Sequence, residues 1–209
     1  MSIELTSSTR YTTIAIALHW AIAIAILAMI PLGWWMSDAV LDPATRGQAG
    51  QAFQLHKSVG LTILALSLVR LVWRLTHKAP PLPQAMPAWE KAVSKTTHAL
   101  FYFLMIALPV TGWVYTSAGY SVSFERFFPV ATSWFGLFEV PHIGAIASKS
   151  EEARKTIGIN TEFVHSKLAW GVIVLGGLHV AAALKHHLFN RDDVLTRMLP
   201  FLKPLRKAQ

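Results

Sequence analysis

The chain alternates between long apolar runs and shorter polar segments rich in basic residues. Four of the runs, at about 13–36, 56–75, 97–117 and 163–189, reach the roughly 20 residues that a helix needs to cross a hydrocarbon core. Because the backbone polar groups of such a span must pair within it, each run predicts a transmembrane helix. The pattern predicts an all-α integral membrane protein, an antiparallel four-helix bundle that forms a single domain over residues 1–209.

The basic residues predict the orientation of this bundle. Lys and Arg are in excess in the second connection and the C-terminal tail, whereas the other two connections are balanced or slightly acidic. The positive-inside rule therefore places both termini in the cytoplasm. The connection at about 118–161 is then a periplasmic cap, with a short helix expected at Ser150–Thr156. The proline-rich stretch Ala79–Pro83 predicts an extended link that ends before a short interfacial helix at Ala88–Lys95.

Composition narrows the class of protein. The 209 residues are 53% hydrophobic and 14% charged, which is too apolar for a soluble domain of this size. The net charge of +8 comes from residues that flank the apolar runs, so we expect a lipid bilayer and no nucleic acid as partner. The first run is too long for a cleavable signal peptide. The absence of cysteine excludes disulfides, iron–sulfur clusters and covalent haem attachment.

Four histidines lie within the apolar segments at depths that match in pairs. His165 and His179 are fourteen residues apart, nearly on one helix face and about 21 Å from each other along the axis. Because the helices alternate in direction, His56 lies at the periplasmic depth of His165, and His19 at the cytoplasmic depth of His179. Each pair can ligate one b-type haem iron, giving a low-spin centre suited to electron transfer. A lone interfacial histidine is more often a hydrogen-bonding residue, so this prediction rests on the matched depths.

Two further histidines leave alternatives open. His98 begins the third span at the cytoplasmic side and can replace His19 opposite His179. His186 follows His179 by seven residues on nearly the same face. It is interpreted as a quinone contact, a proton relay or an ordinary interfacial residue. We name His98, His186 and Arg74 as candidates for the quinone side.

Basic residues and glycines near these histidines suggest how a porphyrin is held. Arg70 and Arg74 are candidates for the propionates of the inner haem, with a positive-inside anchor as the alternative. Lys57 and Lys167, beside the outer ligands, are candidates for the outer propionates or for attracting an anionic donor, with snorkelling as the alternative. Glycines can admit the porphyrin or simply allow close helix packing, and the first role is preferred for two of them. The glycines considered are Gly60 and Gly171, which are preferred, and Gly112, Gly176 and Gly177.

Several motifs carry a resemblance that extends over nearly the whole chain. They are Ala17-Leu18-His19-Trp20, Leu55-His56-Lys57-Ser58-Val59-Gly60, Leu71-Val72-Trp73-Arg74, Ala107-Leu108-Pro109-Val110-Thr111-Gly112, Phe163-Val164-His165, Leu178-His179-Val180-Ala181-Ala182-Ala183-Leu184-Lys185-His186-His187 and Asp192-Asp193-Val194-Leu195-Thr196-Arg197-Met198. With them the chain resembles the bacterial cytochrome b561 family, small di-haem membrane cytochromes related to the cytochrome b subunits of nickel hydrogenases.

The resemblance implies that the family's four haem ligands fall on His19, His56, His165 and His179. It also implies two non-covalent haem b groups and electron transfer between a periplasmic donor and membrane ubiquinone or another quinone. One relative is a superoxide oxidase, so superoxide:quinone oxidoreductase is the enzyme activity to consider. The alternative is a haem-bearing anchor subunit for a partner dehydrogenase or hydrogenase. The expected location is the bacterial inner membrane, and the sequence gives no oligomeric state.

Overall fold

Long helices dominate the computed structural model, which describes residues 10–128, 131–199 and 201–203. The helices are α1 Thr13–Ala39, α2 Arg46–Thr76, α3 Ala88–Ala118, α4 Gly144–Ala147 and α5 Glu151–Lys185, and a π-helical turn, His186–Asn190, continues α5. Within the described residues, α1, α2, α3 and α5 with its π-helical turn are long and apolar enough to cross a membrane. α1 packs along α2, α2 along α3, and α3 along α5. This architecture confirms the predicted four-helix membrane bundle.

The helices extend beyond the predicted apolar spans. α2 begins at Arg46, ten residues before the predicted start of that span. The predicted short helices at Ala88–Lys95 and Ser150–Thr156 are not separate elements, because they form the first turns of α3 and α5. The start of α5 is capped by the side chain of Ser150, which accepts a hydrogen bond from the backbone N–H of Ala153 at 3.4 Å. Hydropathy reveals only the apolar part of such helices, so their polar first turns escape it.

One end of the bundle, the cap end, comprises the α1–α2 turn and residues 119–150. The sequence predicts short helices within the cap, and in its described residues the structure has one, α4, together with two antiparallel hairpins that were not predicted. The strands are β1 Tyr120–Ser121 paired with β2 Arg126–Phe127, and β3 Ser133–Trp134 paired with β4 Phe138–Glu139.

Specific contacts hold the cap against the helices. Gly119 ends α3 at φ 66°, a left-handed conformation that favours glycine. Nε of Arg154 donates a hydrogen bond to the carbonyl of Ala118 at 2.8 Å. The β3–β4 hairpin is attached to α2 because the N–H of Phe135 donates to Oγ of Ser58 at 3.0 Å. The cap is therefore fixed on both sides of the bundle.

The opposite end, the tail end, comprises residues 77–87 and 191–203. Nε1 of Trp20 donates to the carbonyl of Met198 at 2.9 Å, which ties the tail to α1. Arg197 forms an ion pair with Asp193 at 2.8 Å and also donates to the carbonyl of Pro81. The C-terminal tail thus folds back onto the proline-rich link and closes this end.

An apolar cluster fills the middle of the bundle. Ile22 of α1, Ile63 of α2 and Met105 of α3 form it, with exposed fractions of 2%, 5% and 8%. Val172 of α5 is also buried, halfway between the two histidines of that helix. The polar residues of the two ends are therefore separated by apolar side chains.

Candidate functional site

The histidine pair nearer the cap end joins α2 to α5. The ring centres of His56 and His165 lie 6.2 Å apart. Two metal–nitrogen bonds of about 2 Å each, with each ring centre about 1 Å further out, separate the ring centres by about 6 Å. The pair therefore has the spacing of two imidazoles that share one metal ion. Both side chains are half-buried inside the bundle.

Nearer the tail end, three histidines meet. The ring centre of His179 lies 6.3 Å from that of His19 on α1 and 5.8 Å from that of His98 on α3. Both neighbours are thus close enough to be its partner, as the sequence indicated. His98 is exposed, whereas His19 and His179 are half-buried. Nδ1 of His98 lies 2.7 Å from the carbonyl of Ser94, so this nitrogen carries the proton and Nε2 is unprotonated in the neutral ring.

A fourteen-residue interval recurs on all four long helices. It separates His19 from Gly33 on α1, His56 from Arg70 on α2, His98 from Gly112 on α3, and His165 from His179 on α5. Fourteen residues of helix rise about 21 Å and return to nearly the same face. Because the helices alternate in direction, each contributes one residue to each of two layers. The cap-side layer is Gly33, His56, Gly112 and His165, and the tail-side layer is His19, Arg70, His98 and His179.

The two glycines of the cap-side layer lie directly against its histidines. A Cβ on Gly33 would lie 3.6 Å from Cε1 of His56, and one on Gly112 would lie 3.4 Å from Cε1 of His165. A larger side chain at either position would have to occupy the space beside the ring. The glycines therefore leave room for a flat group next to the imidazoles.

The two glycines preferred from sequence lie beside side chains of neighbouring helices. A Cβ on Gly60 would meet Cε of Met29 at 3.8 Å, and one on Gly171 would meet Cδ2 of Leu104 at 3.8 Å. Neither has a histidine among these nearest neighbours, and their place beside a porphyrin stays a prediction. Of the glycines considered from sequence, Gly112 is the one that lies beside a histidine ring.

A threonine fixes the proton of one cap-side ring. Oγ1 of Thr111 lies 2.7 Å from the carbonyl of Leu108 and must donate its single proton there. Nδ1 of His165, 3.0 Å from the same oxygen, is then the donor of their hydrogen bond. Nε2 of His165 is consequently unprotonated and available to a metal. Nδ1 of His56 is buried and has no hydrogen-bond partner among the described residues.

The basic residues proposed from sequence as contacts of haem propionates occupy different positions in the structure. Nζ of Lys57 donates to the carbonyl of Ala131 at 2.6 Å, so it contributes to the attachment of the cap. Lys167 is exposed, with Nζ 5.1 Å from the ring centre of Phe163. Arg70 donates to the carbonyl of Ala15, one turn before His19, at 3.4 Å.

His186 is enclosed by a polar network at the tail end. Its Nδ1 lies 2.6 Å from a carboxylate oxygen of Asp192, and its Nε2 lies 3.5 Å from one of Glu90. Glu90 also forms an ion pair with Lys185 at 2.7 Å. With both ring nitrogens facing carboxylates, His186 is held within the protein and is 9% exposed.

Comparison with known proteins decides the family. A model of the prokaryotic cytochrome b561 family matches residues 10–201. The chain belongs to the prokaryotic cytochrome b561 family. Cytochrome b561 homolog 2 of Escherichia coli is 33% identical over 191 residues, which cover 91% of each chain. The probable superoxide oxidase CybB of Yersinia pestis is 27% identical, over 91% of this chain and 96% of the relative.

Membership in the cytochrome b561 family identifies a multi-pass bacterial membrane protein that transfers electrons and implies b-type haem. The residues present fit such a group. Among the described residues, no group of three or more histidines, cysteines or carboxylates is arranged to hold a metal ion. Pairs of imidazoles suit an iron whose remaining four ligands come from a porphyrin.

The sequence interpretation missed one residue of the cap-side layer, Gly33, and the hydrogen bond that Thr111 makes beside this layer. Gly33 is not close in sequence to any histidine, unlike the two glycines preferred from sequence. Thr111 was noted only as part of a family motif. The fourteen-residue interval, applied to His19 and His98 as it was to His165, leads directly to Gly33 and Gly112.

Proposed function

We propose that this cytochrome carries two haem b groups and passes electrons from a donor at the cap end to a membrane quinone at the tail end. His56 and His165 hold the cap-side haem, and His19 and His179 hold the tail-side haem. The cap end faces the periplasm and the tail end the cytoplasm, with the chain in the inner membrane, in keeping with the positive-inside rule.

The observation that supports this most directly is the repeated spacing of the histidines. The two proposed pairs have ring centres 6.2 and 6.3 Å apart, although one joins α2 to α5 and the other α1 to α5. The bound haems would supply the one-electron redox chemistry. The ring spacing of His19 to His179, 6.3 Å, matches that of the cap-side pair and favours His19 over His98, whose ring centre lies 5.8 Å from that of His179.

Other side chains of this protein orient the histidine ligands and supply positive charge for the haem propionates. Thr111 keeps the ring of His165 in the tautomer that presents Nε2. Arg70 lies at the level of the tail-side histidines and is suited to a haem propionate, with Arg74 one turn further along α2. Lys57 and Lys167 place positive charge beside the cap-side histidines. That charge suits the propionates of the cap-side haem or an anionic donor.

Superoxide is the donor that best fits these observations. One relative bears the name probable superoxide oxidase, and the lysines beside the cap-side histidines would attract a small anion. Two superoxide ions would each give one electron and leave as dioxygen. The two electrons and two protons would convert one quinone to quinol, making the activity that of a superoxide:quinone oxidoreductase.

At the tail end the residues are suited to quinone and proton handling. His98 is exposed with Nε2 unprotonated, so it can accept a hydrogen bond from a quinol hydroxyl. His186, between Asp192 and Glu90, is placed to hold a proton and return it.

The test begins with the haem content of the purified chain. We expect two non-covalent haems per chain and a low-spin b-type spectrum, and one haem or none would contradict the proposal. Stopped-flow mixing with superoxide should then reduce the haems in the purified chain alone, and added ubiquinone should reoxidise them. Haems that respond to superoxide only with a co-purified subunit would instead favour a membrane anchor for a partner enzyme.

A further inference from the structure

A cavity of about 400 Å³ opens at the tail end and borders the tail-side layer at Arg70. It lies between the start of α1, the end of α2 and the proline-rich link. Arg10, Arg70, Arg74 and Lys78 line it, together with the aromatic rings of Tyr11 and Trp73 and eight other residues. None of the histidines proposed as haem ligands is among them.

The walls of the cavity are held by hydrogen bonds from several segments. Nε1 of Trp73 donates to Oγ1 of Thr12 at 3.0 Å, which joins the end of α2 to the start of α1. The ring of His77 stacks on Trp73 with centres 3.7 Å apart. Arg197 of the tail donates to the carbonyl of Pro81, a lining residue. Contacts among several segments of the chain thus connect the walls of the cavity.

The charge of the lining is one-sided. None of the fourteen lining residues is an aspartate or a glutamate. The ion pairs found in the described part of the chain involve Lys185, His186 and Arg197, and none of them neutralises Arg74 or Lys78. Even without Arg10, which has interactions of its own, three cations share the cavity. Their mutual repulsion is relieved when an anion binds.

The proposed tail-side haem cannot neutralise all of these cations. Its two propionates would balance at most two of Arg70, Arg74 and Lys78, and Arg70 is the one tied to the level of His19. Beside the cavity, Ile14 of α1 and Val69 of α2 directly precede the lining residues Ala15 and Arg70, and these apolar side chains are 47% and 54% exposed. A ligand with a phosphate for the cations and acyl chains for these apolar side chains matches both surfaces.

We propose that this cavity binds the phosphate headgroup of an anionic phospholipid, whose acyl chains lie against the exposed apolar side chains of α1 and α2 beside it. Basic pockets beside transmembrane helices recognise such headgroups, and the rings of Tyr11 and Trp73 are of the kind that anchors a protein at the headgroup level. The site adds lipid recognition to the proposed electron transfer and does not depend on the haem ligands being those named.

The experiment is native mass spectrometry of the purified holoprotein with added phosphatidylglycerol or phosphatidylethanolamine. Wild type should retain one phosphatidylglycerol per chain in preference to phosphatidylethanolamine. The variant Arg74→Gln/Lys78→Gln should bind phosphatidylglycerol roughly thirty-fold more weakly. Lys91→Gln/Lys95→Gln, with the same loss of charge outside the cavity, should bind it as wild type does. The single variant Lys78→Gln, beyond the end of α2, guards against misfolding and should weaken binding about fivefold.

Three results would overturn the proposal. One is equal retention of phosphatidylglycerol by the cavity variants and wild type. Another is displacement of the lipid by inorganic phosphate, which would assign the site to a soluble anion. The third is loss of haem from Arg74→Gln/Lys78→Gln with unchanged lipid binding, which would assign these cations to the haem propionates.

Discussion

The cap-side and tail-side layers occupy equivalent positions on the same four helices, yet their side chains differ. The cap-side layer sets two histidines against two glycines, Gly33 and Gly112. At the equivalent positions the tail-side layer has His19 and His98, and Arg70 takes the place that corresponds to His56. One layer has only the side chains needed to hold a flat group, whereas the other has an extra imidazole and a cation. This difference is what the proposal of a quinone and its protons at the tail end requires.

The largest expected effect is the loss of one haem from each layer in turn. His165→Ala should remove the cap-side haem and His179→Ala the tail-side haem, because each deletes one axial ligand of an assigned pair. The haem-to-protein ratio should fall from about two to about one in each case. The surface variant His142→Ala is the control and should retain both haems. Full haem content in either variant would show that the substituted histidine is not a haem ligand.

The extra imidazole of the tail-side layer gives the next prediction. His19→Ala should lose the tail-side haem, whereas His98→Ala should keep both haems and slow the reoxidation of the haems by quinone. The reason is that the spacing of His19 to His179 matches that of the cap-side pair, whereas His98 has Nε2 free for a quinone. Reduced-minus-oxidised spectra measure the first effect and stopped-flow absorbance the second. Haem loss in His98→Ala with retention in His19→Ala would exchange the two assignments.

Filling the space beside a cap-side ring should disturb one haem and spare the other. In Gly112→Leu the new side chain enters the space next to His165, and overpacking of this kind corresponds to roughly tenfold to hundredfold weaker binding. Titration of the apoprotein with haem measures the affinity. Gly177→Leu is a matched control on α5, where a Cβ meets nothing within 4 Å. Equal effects of the two substitutions would show that space beside the ring is unimportant.

The smallest predicted effect is on the potential of the cap-side haem. Thr111→Val removes the acceptor for Nδ1–H of His165, which makes the imidazole a weaker donor to oxidised iron. A hydrogen bond of about 1 kcal/mol corresponds to an upward shift of roughly 40 mV. Thr116→Val, whose hydroxyl bonds only to the carbonyl of Trp113, is the control. Redox titration should show the shift in the cap-side haem alone. Unchanged potentials of both haems would show that Thr111 does not tune the haem through His165.

Much of the fold follows from hydropathy, because a bilayer leaves few alternatives for a long apolar segment. The depths of His56 and His165 followed from the same reasoning, since alternating helices fix the level of every residue. The extra turns of α2 before His56 were not predicted, because they are polar and lie outside the apolar window. The hairpins of the cap also escaped prediction, since strands of two residues have no periodicity to detect.

The contacts of the site were harder to predict than its depth. The bond between Thr111 and His165 joins two helices, and a single sequence contains no signal for it. The contact between Gly33 and His56 also joins two helices, so the sequence does not predict it, although the fourteen-residue interval singles out Gly33. Spacing within one helix is thus readable from sequence, and rotation of one helix against another is not.

The apolar cluster of Ile22, Ile63 and Met105 has a consequence for energy conversion. It keeps water and ions out of the region between the two layers, so the membrane voltage falls across that region. An electron moving inward over about 21 Å of a roughly 30 Å hydrocarbon core works against about two thirds of that voltage. At about 2.3 kcal/mol per 100 mV for the full thickness, the opposing work is about 1.5 kcal/mol per 100 mV. Electron flow to the quinone would thus charge the membrane and slow as the membrane becomes energised.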